Sequence, residues 1–467
     1  MTMNYRVLND ELKIDTDKIN TLIAGAEPEE NQVYDVLNRA MKLKGLSFKD
    51  VALLLRVESE EVLKKVLSAA GEAKKEIYGN RMVIFAPLYT GNRCSNECLY
   101  CAFRSGNKML KRVILNMQQI EAETVSLLKE GHKRLLMLCG ESRENPLDYF
   151  LDAIDAVYRT KWNNHSIRRI NVEIAPLETD EFVRLKKAKI GTYICFQETY
   201  NRELYGRYHL SGPKSDYQYR LNVMDRAMEG GIDDVGIGAL FGLGDYRFEV
   251  LAMIEHANHL EKKFGCGPHT VSVPRLEPAD GSEISANVPY PVSDRDFKKI
   301  VAILRLALPY TGIILSTREN EELRTELFSY GISQISAGSR TNPGAYSGEN
   351  DSTGQFSLGD HRSLDEVVSS LVDKGYVPSF CTGCYRKGRV GHDFMDMAKP
   401  GLIKDFCQPN ATFTFKEYLN DFASKETAEK GNRLIAETNA QISKPGLRSK
   451  VDEYISRIQD GERDLYL

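Results

Sequence analysis

The chain has 467 residues, with 62 Lys and Arg against 66 Asp and Glu, and so a formal charge of −4. That balance offers no bulk charge for capturing nucleic acid or a membrane surface, and 42% hydrophobic with 9% aromatic residues excludes disordered and fibrous classes. No apolar run reaches the roughly 18 residues that span a bilayer, and no apolar leader is visible, so a cytoplasmic setting with reduced thiols is expected for the nine cysteines.

Residues 1–78 carry helical periodicity, as in FKDVALLLRVESEEVLKKVLSAAG. Eight apolar, β-branched runs follow, at 81–90, 134–141, 169–176, 192–199, 233–243, 269–279, 312–319 and 332–339. The amphipathic segments between them often open on Asp, Ser or Pro and close on Gly, as helix caps do. Eight strand-then-helix units in one row predict an α/β fold, a (β/α)8 TIM barrel over 79–375. The N-terminal helical extension is expected to close its bottom, and a C-terminal helical domain, 376–467, to cap its mouth.

In such barrels the chemistry stands at the C-terminal ends of the strands. The first run leads into NRCSNECLYCAFR, where Cys94, Cys98 and Cys101 have the spacing C-x3-C-x2-C. Structural zinc needs a fourth ligand, and no other Cys or His lies nearby; a 4Fe-4S cluster on three thiolates leaves one iron open. The second run ends on Gly140 and Glu141, the fourth on Gln197, Glu198 and Thr199, and the helix after it carries Arg220. The fifth is Gly-rich, VGIGALFGLGD. Arg318, with the hydroxyls of Ser316 on its own run and Ser336 on the next, predicts a bidentate clamp for an amino-acid carboxylate. Cys139 and Cys195 lie in apolar runs and read as packing residues. In the C-terminal part, Cys381, Cys384 and Cys407 form a second set. Two readings stay open there: a Cys3His zinc site completed by His392, or a second three-thiolate 4Fe-4S cluster.

The first triad, with Tyr100 before its last cysteine, resembles that of the radical S-adenosylmethionine (SAM) enzymes. The motifs LCGE, QETY, VGIGALFGLGDY, GPHTVSVPRLEPADGS, LSTRE, ISAGSRTNPGAY and CTGCYRKGRVGHDFM resemble, along essentially the whole chain, the tyrosine lyases that mature FeFe-hydrogenases. The barrel alone also resembles the thiamine-pathway tyrosine lyase and, more remotely, biotin synthase. Ala345 and Val390 depart from the usual pattern without removing a ligand.

The resemblance implies that Tyr100 packs beside the adenine of SAM, Glu141 holds its amino group, Glu198 its ribose and Arg220 its carboxylate. It implies cleavage of the Cα–Cβ bond of L-tyrosine to p-cresol and dehydroglycine, and conversion of dehydroglycine to CO and cyanide on an auxiliary cluster. An extra iron would be linked there through free L-cysteine and held by His269, read as lying at the barrel mouth. A ferredoxin or flavodoxin as electron donor and downstream hydrogenase maturation proteins are the implied partners. The alternative is a thiamine-type lyase that releases dehydroglycine.

Overall fold

The computed structural model describes residues 11–348, 354–399 and 401–467. Eight parallel strands close on themselves: β1 (Arg81–Gly91), β2 (Arg134–Cys139), β3 (Arg169–Glu173), β4 (Thr192–Ile194), β5 (Asp234–Gly238), β6 (Thr270–Ser272), β7 (Gly312–Leu315) and β8 (Gln334–Ser336). Each pairs with the next, and β8 returns to β1 with Ile335 opposite Ile84. All eight fall inside the predicted runs, but most stop short of their ends. The fourth run leaves the ladder after Ile194, and its last residues turn across the mouth, with Glu198 at φ +71°. The apolar tails of the runs thus become the loops that carry the site.

The helices between the strands form because their polar ends are satisfied locally. Asn116 and Gln119 make a reciprocal capping box at the start of Met117–Glu130, and Gly131, at φ +101°, ends that helix in the left-handed region. Helix Asp294–Ala307 buries Phe297, Ile300, Val301 and Leu304; removing one such side chain from water contributes about 1.5–3 kcal/mol. Among the described residues no helix is long and apolar enough to cross a membrane.

Both extensions differ from the sequence reading. Helices α1 (Thr16–Ile23), α3 (Phe48–Leu55) and α4 (Glu60–Tyr78) pack along the flank, against Tyr246–Phe264 and Asp294–Ala307, and do not close the bottom. Only Tyr78, at the end of α4, reaches it, donating its hydroxyl to the Tyr310 carbonyl. The C-terminal region covers the bottom, not the mouth. The cause is one more parallel strand, β9 (Val377–Ser379), which pairs Val377 with Arg81 at the very start of β1. Helix Lys404–Asp421 then packs on β9 and on the end of α4.

The barrel interior is layered by the two-residue period of its strands. Val83, Gly312 and Gln334 line a lower cavity, and Phe85, Ile314 and Ser336, each two residues further on, line an upper one. Phe85, Ile194 and Ile314 pack together between them. Only a residue without a side chain suits position 312, where a Cβ would lie 2.3 Å from the Gln334 side chain.

Candidate functional site

At the upper end, the loop after β1 carries Cys94, Cys98 and Cys101. It is tied down by Ser95 N–H donating to the Glu141 carbonyl at 2.7 Å and by the Asn96 amide donating to the Glu141 carboxylate at 2.7 Å. Gly140 is required beside it: a Cβ there would sit 2.2 Å from the Arg93 carbonyl oxygen. The three thiols share a cavity of about 140 Å³ with Tyr100, Glu141, Glu173, Glu198, Lys214, Arg220 and Arg318.

The charges in this cavity are fixed by one another. His209 Nδ1 faces the Tyr205 carbonyl at 2.8 Å and must donate to it, so Nε2 accepts from the Tyr100 hydroxyl at 2.8 Å. Burial pushes the His209 imidazolium down to about 3, which keeps the ring neutral. Burial also pushes Glu198 up, but Lys214, 2.6 Å from its carboxylate, and Arg220, at 3.9 Å, outweigh this and hold it below the usual range. Arg220 donates to the Phe196 carbonyl at 2.7 Å. Arg318 stacks on Phe356, 3.3 Å from the ring centroid, and faces a second cavity, about 90 Å³, lined by Ser316, Ser336, Phe85 and Leu136. Glu173 lines both cavities, and its carboxylate is hydrogen-bonded to nothing among the described residues. Burial, then the charge of Glu198, raises it to about 7.

The structure therefore brings Tyr100, Glu141, Glu198, Arg220 and Arg318 to the first triad, with Ser316 and Ser336 in the adjoining space. The sequence reading missed Glu173 and Lys214. Glu173 had a signal, as the one acid in the apolar run RINVEIAP; Lys214, on a turn far along the chain from β4, had none. Cys139 and Cys195, read as packing, also stand in the cavity wall.

At the lower end, Cys381, Cys384 and Cys407 line a cavity of about 60 Å³ with His269, Tyr385, Arg81, Arg134 and Arg389. His269 precedes β6, so it lies where the strands begin. The reading that placed it at the mouth is corrected by strand direction: in a parallel barrel all residues just before a strand share the bottom. Its Nε2 meets the Tyr385 hydroxyl at 2.9 Å and its Nδ1 faces Asp234 at 3.5 Å. A hydrogen bond to Cys407 and burial push the Cys384 thiol up, while the same bond holds Cys407 down.

The zinc alternative does not assemble. His392 turns to Asp396 at 3.2 Å on the surface, its side chain 49% exposed. Among the described residues no three His, Cys, Asp or Glu side chains converge closely enough for a single ion. Each triad instead consists of free thiols around a cavity without a fourth donor, the arrangement that a polynuclear cluster with one open iron fits.

Comparison with known proteins bears on both ends. The Radical SAM superfamily matches residues 88–257, and the Biotin and Thiamin Synthesis associated domain matches 272–377, so the lower triad lies beyond both. The 2-iminoacetate synthases of Salmonella typhimurium and Escherichia coli are 31% and 30% identical over 344 residues, 73% of this chain and 89% of theirs. A crystal structure of HydG, a maturase of the FeFe-hydrogenase, superposes with a TM-score of 0.95 at 48% identity, covering 97% of this chain and 99% of that one. HydG from Carboxydothermus hydrogenoformans superposes with a TM-score of 0.79 at 43% identity, covering 95% and 100%.

Proposed function

Because the chain belongs to the radical SAM family that contains the HydG maturases of FeFe-hydrogenase, we propose that it is a tyrosine lyase. In this reading it cleaves L-tyrosine to p-cresol and dehydroglycine and converts the latter to CO and cyanide for an iron precursor of the hydrogenase active site. The observation that carries the reading is the pair of three-cysteine sites at opposite ends of one barrel, stacked along its axis. When bound, the upper 4Fe-4S cluster and SAM supply a 5′-deoxyadenosyl radical, and the auxiliary 4Fe-4S cluster supplies an open iron for small products.

The protein's own groups do the rest. Tyr100 is held against the adenine position by His209, Glu141 accepts from the SAM amino group, and Glu198, kept ionised by Lys214, accepts from the ribose hydroxyls. Arg220 and Arg318 are assigned to carboxylates, that of SAM and that of tyrosine, with the Ser316 and Ser336 hydroxyls beside the second. Glu173, without a hydrogen-bond partner and poised near neutrality, is suited to accept a proton from the tyrosine ammonium. Phe85, Leu136 and Ile314 give the phenol ring an apolar wall and exclude water. At the lower site Cys381, Cys384 and Cys407 would hold the auxiliary cluster, and His269, oriented by Asp234 and Tyr385, an extra iron linked through free L-cysteine. Arg81, Arg134 and Arg389 would neutralise the thiolates and an incoming carboxylate. A ferredoxin or flavodoxin is the proposed electron donor, and hydrogenase maturation proteins the recipients of the product.

Anaerobically reconstituted protein given SAM, dithionite and tyrosine should yield 5′-deoxyadenosine, p-cresol, CO and cyanide. His269→Ala and Cys384→Ser should keep p-cresol and lose CO and cyanide; undiminished CO from both would remove the lower site from the reaction. The similarity to 2-iminoacetate synthases supports a second reading, a lyase that releases dehydroglycine. One cluster's worth of iron in the purified protein, in place of two, would favour it.

A further inference from the structure

The loops around the first triad expose large apolar side chains that the barrel does not use. Met109 is 81% exposed and Leu210 58%, the two highest values among the large hydrophobic residues described. Each is a short step from a cysteine. Leu210 N–H donates to the Glu97 carbonyl at 3.0 Å, and Glu97 directly precedes Cys98. Met109 N–H donates to Asn107 Oδ1 at 3.1 Å, and the Asn107 amide donates to the carbonyl of Ala102 at 2.8 Å, directly after Cys101.

These loops are braced. Glu97 takes Arg104, Ser105 and the Gly106 N–H on its carboxylate, and Asn107 also donates to the Asp280 carbonyl at 2.9 Å. A rigid segment that shows a methionine and a leucine to solvent marks a contact surface. Its charge is distinctive as well. From Arg93 to Arg112 five cations, Arg93, Arg104, Lys108, Lys111 and Arg112, face the single acid Glu97, in a chain whose net charge is −4. Lys108 and Lys111 are exposed.

We propose that this face docks the protein that delivers the electron: a small one-electron carrier with an acidic rim and an apolar patch around its redox group. The inference rests on the radical chemistry proposed above. That chemistry needs one electron per SAM: the carrier is oxidised by one electron, the C5′–S bond of SAM breaks, and methionine and the 5′-deoxyadenosyl radical result. Electron transfer through protein falls steeply with distance, so the carrier must seat close to the cysteines. Met109 and Leu210 are the apolar anchors nearest them along the hydrogen-bonded paths above. The cationic segment steers an acidic partner and the small apolar contact lets it leave, as a transient encounter requires.

The test compares two reductants on the intact, cluster-loaded chain: dithionite and a reduced acidic ferredoxin. In K108E/K111E and in M109S/L210S, dithionite-driven 5′-deoxyadenosine formation should stay within about twofold of the parent. Ferredoxin-driven formation, at limiting carrier, should fall about tenfold, and added salt should slow the parent's ferredoxin-driven rate in the same direction. Unchanged ferredoxin-driven rates in both variants would overturn the proposal. So would an equal loss with dithionite, which would make these residues part of the site's architecture. A loss confined to product transfer, or a dimeric parent that the variants split, would assign the face to a receiving protein or a second copy and overturn it too. If the parent forms no 5′-deoxyadenosine with dithionite, the radical SAM reading itself fails, a result distinct from all of these.

Discussion

Arg318 and Glu173 stand at the substrate end of the upper cavity with little to neutralise them, and that makes each sensitive to a change of one group. Arg318 is fully buried against Phe356, and burial pushes its guanidinium down. Arg318→Lys keeps the charge but loses the planar fork that matches a carboxylate. Loss of a desolvated charged pair of this kind costs roughly 2–5 kcal/mol, so kcat/KM for tyrosine should fall by about 100-fold or more, mostly through KM. The ratio of p-cresol to 5′-deoxyadenosine reads this directly, since SAM cleavage without tyrosine cleavage should rise. For Glu173 the sign follows from its raised carboxyl. Free in water it would ionise near 4.5; in the fold it does so near 7, so the fraction able to accept a proton grows as pH rises through about 7. The p-cresol rate of the parent should climb across that window, and Glu173→Gln should flatten the climb and lower kcat by about 100-fold or more. A variant that keeps the climb would show that another group sets it. Neither residue was equally visible in the sequence. Arg318 ends a strand beside hydroxyls, a local pattern; the importance of Glu173 depends on having no partner, which only the packed barrel decides.

The cysteine loops depend on turns that hold them at fixed distance from the strand ends. Gly140 follows β2, and its place is set by backbone from another element, the Arg93 carbonyl, with Cys94 Cβ 3.2 Å away. Gly140→Ala must displace the triad loop or the turn, because the obstructing atom is main chain. A forced shift of this type costs about 1–3 kcal/mol. The expected outcome is a lower thermal midpoint together with weaker SAM binding, read by isothermal titration of the reconstituted protein; unchanged affinity would mean that the loop yields freely. The same turn illustrates what could be read in advance. The eight strands were legible because each is a short β-branched run between helical periods, and the first triad because its spacing is local. The position of the second triad was not, because it follows from β9 choosing β1 as its neighbour, with Ser379 opposite Val83 across nearly 300 residues of chain. Nothing in VPSFCTGC states that partner. His269 was misplaced for a related reason: the run 269–279 looks like strand throughout, whereas the ladder covers only Thr270–Ser272 and leaves the histidine at its start.

Across the whole molecule the acid response is set by histidines that fold without charge. His132, His209 and His256 are buried, and burial pushes each down to about 3. In the unfolded chain a histidine protonates near 6.5. Between about pH 6.5 and 3 the unfolded state therefore holds up to three protons that the folded state does not, and stability falls as pH falls. Each such histidine contributes about 1.4 kcal/mol per pH unit, so three together approach 4 kcal/mol per unit, against a total stability of roughly 5–15 kcal/mol. The carboxylates act later. Asp360, where hydrogen bonds and charge from Arg362 and Arg324 outweigh burial and hold it at about 2, contributes stability that is complete above the ordinary carboxyl range and is lost only as pH drops through about 2. Acid unfolding should thus begin near pH 6 and be led by the histidines. His132 is the cleanest probe, because both its ring nitrogens lack a hydrogen-bond partner among the described residues and its side chain is wholly buried. His132→Leu removes the proton difference along with an unsatisfied polar ring. It should leave stability at pH 7.5 unchanged or higher and reduce the slope below pH 6 by about 1.4 kcal/mol per unit, measured from anaerobic urea midpoints at a series of pH values. A variant whose slope equals that of the parent would show that His132 takes up its proton without unfolding.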